Sequence, residues 1–443
     1  FCATSLILFI FSFFTALNIN SENVDLSIYG TINEKNSGAK SVAEEVYVAP
    51  SSKDSYYWFM SGGYSGNVTV HGIPSGRLIK TIPVFSLFPE NGYGFDEETK
   101  DMLATSVGRI PWDDSHHPEI SMTAGEHDGR WLFINANNVP RIARINLRNF
   151  ETEEIIEIPN CSGNHASPFA TENTEYLMSA TRFAVPVPQK DIAVESAAEG
   201  KFKGTVTMVG VDSKTGRMEI KAQVIVPGYD YDVAHCGKGP SKDWCFFSTY
   251  NVAQAYKMLE VEASKLDKDY VLAFNWKKAE KCVTEGKAKN FPSRYLNNYH
   301  PENKKTVSKI YENVKLLEPK NCPVMYFLPT PKSPHGVDVD PTGEYIVAGG
   351  KLATVIPVHS YSKLATAIQD KTNIIKEVDG IPVLKYEATL AGEVKNPCLG
   401  PLHTEFDGAG YAYSSCFISS NVIKWKLGTW EIVDHVPSYY SIG

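Results

Sequence analysis

Eleven histidines carry most of the chemistry this chain offers, and five of them share a pattern. His116 and His117 are adjacent in "DDSHHPEIS". His165 sits in "GNHASPF", His335 in "SPHGVDVDPTGEY" and His403 in "GPLHTEFDGAGYAY". The local order is common to them: a Gly or Pro turn, a histidine, a short extended run, a polar turn, then an aromatic-rich strand. Neutral imidazole is a borderline ligand that suits Cu, Zn, Fe and Ni. No carboxylate or thiolate recurs at the equivalent positions, which argues against Ca²⁺ or Mg²⁺ there and weakens a two-His-one-carboxylate iron site. Five imidazoles exceed what one tetrahedral zinc takes. The set therefore favours copper and more than one ion. Neighbouring side chains on a regular strand point to opposite faces, so the rings of His116 and His117 diverge and each can reach a different ion. No nucleophile or general-acid pair stands near these histidines.

Residues so far apart need a scaffold that returns to one point. A polar turn followed by an aromatic-rich strand recurs from Ser52, Asp128, Glu172, Ser241, Asp340 and Asp407. Between copies lie further strand candidates, with "DSKTG" as a hairpin turn at residues 212–216. Many short strands in a repeating unit predict an all-β array. A β-propeller fits better than the alternative, a pair of β-sandwiches. In a closed ring, equivalent blade positions surround one axis, so histidines about 290 residues apart in sequence can meet at one end of the channel. Helical texture is confined to an insertion at residues 251–288, where a strand-like "YVLAFNW" separates two helix-like stretches.

Composition narrows the partners. The net charge is −8 and no run of Lys and Arg makes a basic face, so nucleic acid is not expected as a partner. With 443 residues, 43% of them apolar, the chain can bury one large core or two to three ordinary ones. Residue 1 is Phe, and residues 4–16 read "TSLILFIFSFFTA" before a polar stretch. That is the apolar region of a secretory signal whose charged start is missing; a buried strand or a membrane anchor is the competing reading. Residues 1–20 are taken as a partial signal peptide and 21–443 as the propeller, with membrane association only through an uncleaved N-terminus. None of the eight cysteines forms a C-x-x-C pair, and their spacing does not say which would bond.

Four segments bear a family resemblance: "HHPEISMTAGEHDGRWLFINANNVPRIARINL", "IPNCSGNHASPF", "SPHGVDVDPTGEYIVAGGKL" and "GPLHTEFDGAGYAYSSCFISSNVIKW". From about residue 40 onward the chain resembles nitrous oxide reductase, with wording most like its Sec-exported branch. The resemblance implies a periplasmic enzyme of denitrification that reduces N₂O to N₂ and water with two electrons and two protons. It implies a seven-bladed propeller holding a sulfide-bridged four-copper centre, CuZ, on seven histidines. It also implies a C-terminal cupredoxin domain with a two-copper CuA centre, an electron donor such as cytochrome c or a cupredoxin, and a head-to-tail homodimer. Carried over, His116, His117, His165, His335 and His403 match five copper ligands. The other two ligands and the CuA domain are expected beyond residue 443, so the propeller is incomplete here and residues 21–443 alone are expected to be inactive. His435, in "VDHVPSYY", does not match the remaining ligand motifs. Lys424 in "VIKW" matches a family lysine at the substrate edge of the cluster, where a cation polarises bound N₂O. For the family's Ca²⁺ site, Tyr250 matches a backbone ligand and Asp267 a carboxylate ligand. A family glutamate falls on Ala253, and Ser333 stands where Asn is frequent.

Two other functions fit the residues alone. One is a non-catalytic propeller that binds a partner through its face, with scattered histidines and no metal. The other is a propeller hydrolase or lyase with a mononuclear metal and a carboxylate at a channel-facing strand start. Metal content separates all three.

Overall fold

The computed structural model describes residues 41–105, 108–187, 201–250, 269–291, 295–300, 305–310, 314–395 and 398–442. The expected signal segment, residues 1–20, and the first helix-like stretch of the insertion lie outside them. The chain divides into two compact units, residues 1–56 with 73–76, and residues 57–72 with 77–443. In the first, helix α1 (Val42–Glu45) starts with a capping box in which Ser41 and Glu44 bond each other's backbone N–H. Its Asp54 carboxylate accepts from Ser75 N at 3.0 Å.

The second unit is all-β and propeller-like. A three-stranded sheet, β1 (Tyr56–Ser61), β2 (Asn67–Ile73) and β3 (Leu78–Pro83), comes first. Five blades follow, each containing a four-stranded antiparallel meander. The first has β4 (Ser115–Thr123), β5 (Glu126–Ala136), β6 (Arg141–Asn146) and β7 (Glu151–Glu157). The second has β8 (Phe169–Ala170), β9 (Tyr176–Ala180), β10 (Phe202–Val211) and β11 (Met218–Pro227). The third has β12 (Asp230–Cys236), β13 (Trp244–Tyr250), β14 (Tyr270–Asn275) and β15 (Met325–Pro329). The fourth has β16 (Pro334–Val339), β17 (Tyr345–Gly350), β18 (Val355–Ser360) and β19 (Leu390–Lys395). The last has β20 (Pro401–Phe406), β21 (Tyr411–Cys416), β22 (Asn421–Lys426) and β23 (Ile432–Pro437). Helix α2 (Trp276–Thr284) directly follows β14, so the strand and second helix expected in the insertion are both present.

The first strand of each blade is the innermost. β8 touches both β4 and β12, β12 touches β16, and β16 touches β20. The recurring aromatic strand is the second of each blade, sandwiched between its neighbours and between adjacent sheets. It therefore needs apolar side chains on both faces. Trp131, Phe133 and Ile142 interlock with Leu177 and Val209 of the next blade; Phe246 and Val271 do the same with Val337 and Ile346. Each such buried aromatic or branched side chain contributes roughly 1.5–3 kcal/mol of burial.

The polar turn of the repeat has a defined job. Asp340 Oδ1 accepts from Glu344 N and Tyr345 N, at 3.0 and 2.8 Å, and Asp407 Oδ1 accepts from Ala409 N and Tyr411 N. The carboxylate thus sets the hairpin that launches the aromatic strand. The "DSKTG" turn works the same way: Asp212 Oδ1 takes Lys214 N and Thr215 N, and Gly216 adopts φ +73°.

Disulfides join Cys236 to Cys245, Cys282 to Cys322 and Cys398 to Cys416, while Cys161 is a buried free thiol. Spacing could not give these pairs: Cys236 and Cys245 become neighbours only because β12 and β13 pair in that register. No helix among the described residues is long and apolar enough to cross a membrane.

Candidate metal centre

The innermost strands are irregular at the same place. Pairing slips between Ser115 and Pro118 in β4, Tyr231 and Ala234 in β12, Pro334 and Val337 in β16, and Pro401 and Thr404 in β20. Such bulges leave residues unpaired and re-aim their side chains. The residues inside them are His116 and His117, Asp232 and Val233, His335 and Gly336, Leu402 and His403. His165 comes from the loop before β8.

The five histidines meet. Ring centroids lie 4.6 Å apart for His116–His117, 4.4 Å for His116–His165 and 4.6 Å for His117–His165. The group continues through His165–His335 at 5.9 Å and His335–His403 at 4.8 Å. One ligand nitrogen from each of His116, His117 and His165 falls within 4.8 Å of the others, close enough for a shared ion. The "PHG" wording has a steric cause: a Cβ on Gly336 would stand 1.8 Å from Leu402 O, and one on Gly349 2.3 Å from the same oxygen. Only glycine lets β16 approach β20 closely enough to join His335 to His403.

Residues the histidine pattern did not single out hold the rings. The Asp113 carboxylate accepts from Asp114 N, Asn138 N, Val139 N and, at 3.2 Å, the buried Arg141 guanidinium. This clamps the loop entering β4. Asp114 then stands 3.5 Å from His116 Nδ1, and its other oxygen accepts from Asn137. Asn135 Oδ1 accepts from His117 N at 2.7 Å, and its amide donates to Asn164 O. His117 Nδ1 donates to His165 O at 2.7 Å.

Asp232 is the most connected of these supports. Its Oδ1 is 2.9 Å from His165 Nδ1 and its Oδ2 is 2.5 Å from His335 Nδ1, with Lys351 Nζ 3.4 Å from Oδ2. A carboxylate accepts, so Nδ1 of His335 donates and its Nε2 keeps a lone pair. Burial opposes the charge on Asp232, but His335, His165 and Lys351 outweigh it and hold the carboxyl well below its usual range. Burial also lowers the imidazoles: His335 and His116 to about 4, His117 well below its ordinary value, His403 in the same direction. For His116 and His117 the neighbouring His165 adds to the effect. The Asp232–His335 pair thus stands as carboxylate and neutral imidazole. At neutral pH His116, His117, His335 and His403 are neutral, the state a metal requires.

The remaining expected site residues fall elsewhere. Lys424 lies on β22, two strands outward from His403, with its ammonium 4.3 Å from the Tyr411 ring and 5.2 Å from that of Tyr413. The structure does not bring it to the histidines; Lys351, through Asp232, does reach them. Tyr250 ends β13, its backbone paired with Asp230, and Asp267 is outside the described residues. Ser333 is buried, and its N donates to Asp269 Oδ2 at 3.2 Å. His435 is exposed on β23. Asp232 and Lys351 were not evident in the sequence because a carboxylate in "DYDVAHC" has no histidine beside it; the bulge in β12 alone reveals the equivalence.

Comparison with known proteins bears on identity. Over 393 residues, 88% of this chain, the sequence is 31% identical to the nitrous-oxide reductase of Pseudomonas fluorescens. Over 405 residues, 90% of the chain, it is 30% identical to that of Stutzerimonas stutzeri. The chain is a relative of the nitrous-oxide reductases. It spans 55% and 57% of the length of those two enzymes, so a little over half. No protein-family model matches the chain. In fold, it is similar to a chain of Kuenenia stuttgartiensis hydrazine synthase, with a TM-score of 0.50, 13% identity, and coverage of 84% of this chain and 80% of that one.

Proposed function

We propose that this chain is the propeller portion of an enzyme that reduces N₂O to N₂ and water, and that His116, His117, His165, His335 and His403 hold its copper–sulfide centre. The observation that carries the reading is five imidazoles from four blades in one contiguous group, with the nearby carboxylates Asp114 and Asp232 facing Nδ1 atoms. That donor set fits soft-to-borderline copper and gives a single hard cation little to bind. Bound there, low-valent copper supplies the two electrons and the site at which N₂O is activated.

The chain's own residues orient and insulate. Asp232 fixes the His335 ring and, with Lys351, keeps a compact charge pair beside the group. The Asp113–Arg141 clamp fixes the turn that splays His116 from His117. Phe169, 5.6 Å from His117, covers one flank with apolar surface. Lys424 is assigned the substrate-edge cation from the resemblance; Lys351 is the cation that geometry favours.

The same reading gives the full protein seven blades, seven copper ligands and a CuA domain supplied by the rest of its length. It gives a dimer, a small redox-protein donor, a Ca²⁺ site that includes Tyr250 and Asp267, and a periplasmic address. Three disulfides agree with an oxidising compartment. The test is reductant-driven N₂O consumption by the full-length protein and its variants. His165→Ala abolishes consumption and copper together. Lys351→Ala slows turnover with copper retained, and Lys424→Ala shows which lysine serves the substrate. Consumption undiminished in His165→Ala overturns the assignment.

A further inference from the structure

Arg182 lies in the segment after β9, in the second blade. Its backbone is braced on both sides. Arg182 N donates to Gly163 O and Phe183 N to Ser162 O, each at 2.9 Å, in the loop that carries His165. Thr181 O accepts from Tyr231 N at 3.1 Å, at the start of β12. Gly163 adopts φ +76°, and a Cβ there would stand 3.1 Å from both Asn137 O and the Phe183 ring. Glycine at this position lets the Arg182 segment lie against the turn after β5.

The side chain reaches two neighbouring blades at once. Its Nη1 donates to Asn137 Oδ1 at 3.0 Å, just after the first blade's β5, and its Nε lies 3.8 Å from Asp230 Oδ2, at the start of the third blade's β12. The guanidinium side chain is 26% exposed, while Asn137 and Asp230 are buried. A line of polar groups runs on from Asn137. Its Nδ2 donates to Asp114 Oδ2 at 3.0 Å, and Asp114 Oδ1 faces His116 Nδ1 at 3.5 Å. A guanidinium only donates, so Asn137 must turn its oxygen toward Arg182 and its NH₂ toward Asp114. The carboxylate only accepts, so it meets His116 on its Nδ1–H side and leaves Nε2 with a lone pair. The direction of every contact in the line is thus set at its Arg182 end. A lysine has a single head and could not serve Asn137 and Asp230 together.

We propose that Arg182 is a positioning residue for the histidine centre: anchored by Asp230, it orients the His116 ring through Asn137 and Asp114. The proposal rests on the copper reading of the histidine group and deepens it. Asp114 and Asp232, the two carboxylates that face ligand imidazoles, then each have a cation behind them. Lys351 stands directly against Asp232, and Arg182 acts on Asp114 across the Asn137 amide.

The test is a double-mutant cycle on the full-length protein, read as Cu(I) affinity by competition with a chromophoric chelator. Arg182→Met, Asp114→Asn and their combination are compared, and urea titrations of the metal-free forms separate loss of fold from loss of metal. Arg182→Met is expected to weaken Cu(I) binding by about tenfold. The combination is expected to lose no more than the larger single loss, because Arg182 acts through Asp114. Arg182→Lys keeps the charge and is expected to match Arg182→Met. Arg182→Ala regains affinity with millimolar ethylguanidinium and not with ethylammonium, since the partly exposed side chain leaves a gap that solvent reaches. In electron–nuclear spectra of the loaded centre, the nitrogen coupling that His116→Ala deletes is the one that shifts in Arg182→Met. Wild-type affinity in Arg182→Met overturns the proposal, as do losses that multiply in the combination or a shift of every nitrogen coupling together. A wild-type protein that takes up no copper overturns the copper reading, and the proposal with it, before any variant is compared.

Discussion

Replacing Asp232 by Asn keeps the volume and removes the charge that ties two imidazoles together. The side chain is 1% exposed, and its two oxygens face Nδ1 of His165 and Nδ1 of His335. Asn offers one acceptor oxygen and an NH₂ group, so one of the two imidazoles meets a donor instead of an acceptor. If the remaining oxygen stays on His335, His165 faces the NH₂ group and keeps only the main-chain oxygen of residue 232 as acceptor, and Lys351, 3.4 Å away, loses its counter-charge. Loss of such a support beneath a ligand histidine costs about 10–100-fold in metal affinity, or about 1.4–2.7 kcal/mol. The assay is competition for Cu(I) against a chromophoric chelator, run on wild type and Asp232→Asn. Parallel urea titrations separate loss of metal from loss of fold. Asp232→Glu, which keeps the charge and shifts it by one methylene, is expected to fall between the two. Equal Cu(I) affinity in wild type and Asp232→Asn would refute the claim that this carboxylate positions the centre.

Two more predictions follow from the packing. Gly336→Ala places a methyl 1.8 Å from Leu402 O and must push β16 from β20; it is expected to destabilise the chain by roughly 1–3 kcal/mol, the usual cost of overpacking, and to lower the copper retained. Urea unfolding and metal analysis of the same samples check this. His359 is fully buried between Thr330 and Thr389, and burial lowers its pKa to about 4 from 6.5. A depressed folded pKa means stability that is present above pH 6.5 and lost as pH falls from 6.5 toward 4. Between pH 7 and pH 5 that loss is about 2 kcal/mol, so His359→Asn is expected to unfold with a pH dependence shallower by that amount over the same range.

Much of the design is visible in the sequence, and what is hidden is hidden for physical reasons. The aromatic strand after a polar turn is legible because a strand packed on both faces needs apolar residues and its launching hairpin needs Asp. Five of the six copies map onto β5, β9, β13, β17 and β21, and the copy from Ser52 maps onto β1 of the preceding three-stranded sheet. The histidines of the bulges are legible because each follows a Gly or Pro turn. Asp232 fills the same bulge in β12, yet its residue type breaks the pattern, so only strand register shows its place. Lys351 reaches Asp232 from the end of β17, a contact between blades that no local wording encodes. The disulfides depend on register in the same way. Lys424 shows the opposite case: its motif is recognisable, while its place on the third strand of a blade sets it apart from the histidines.

The most direct test of the central claim is the metal and acid-labile sulfide content of the purified protein, with the copper edge spectrum of the same sample. Several coppers per chain with sulfide, imidazole-nitrogen coordination, and loss of copper in His117→Ala and His335→Ala is the predicted result. A single Zn, Fe or Ca ion without sulfide, or copper content unchanged in both variants, contradicts the account.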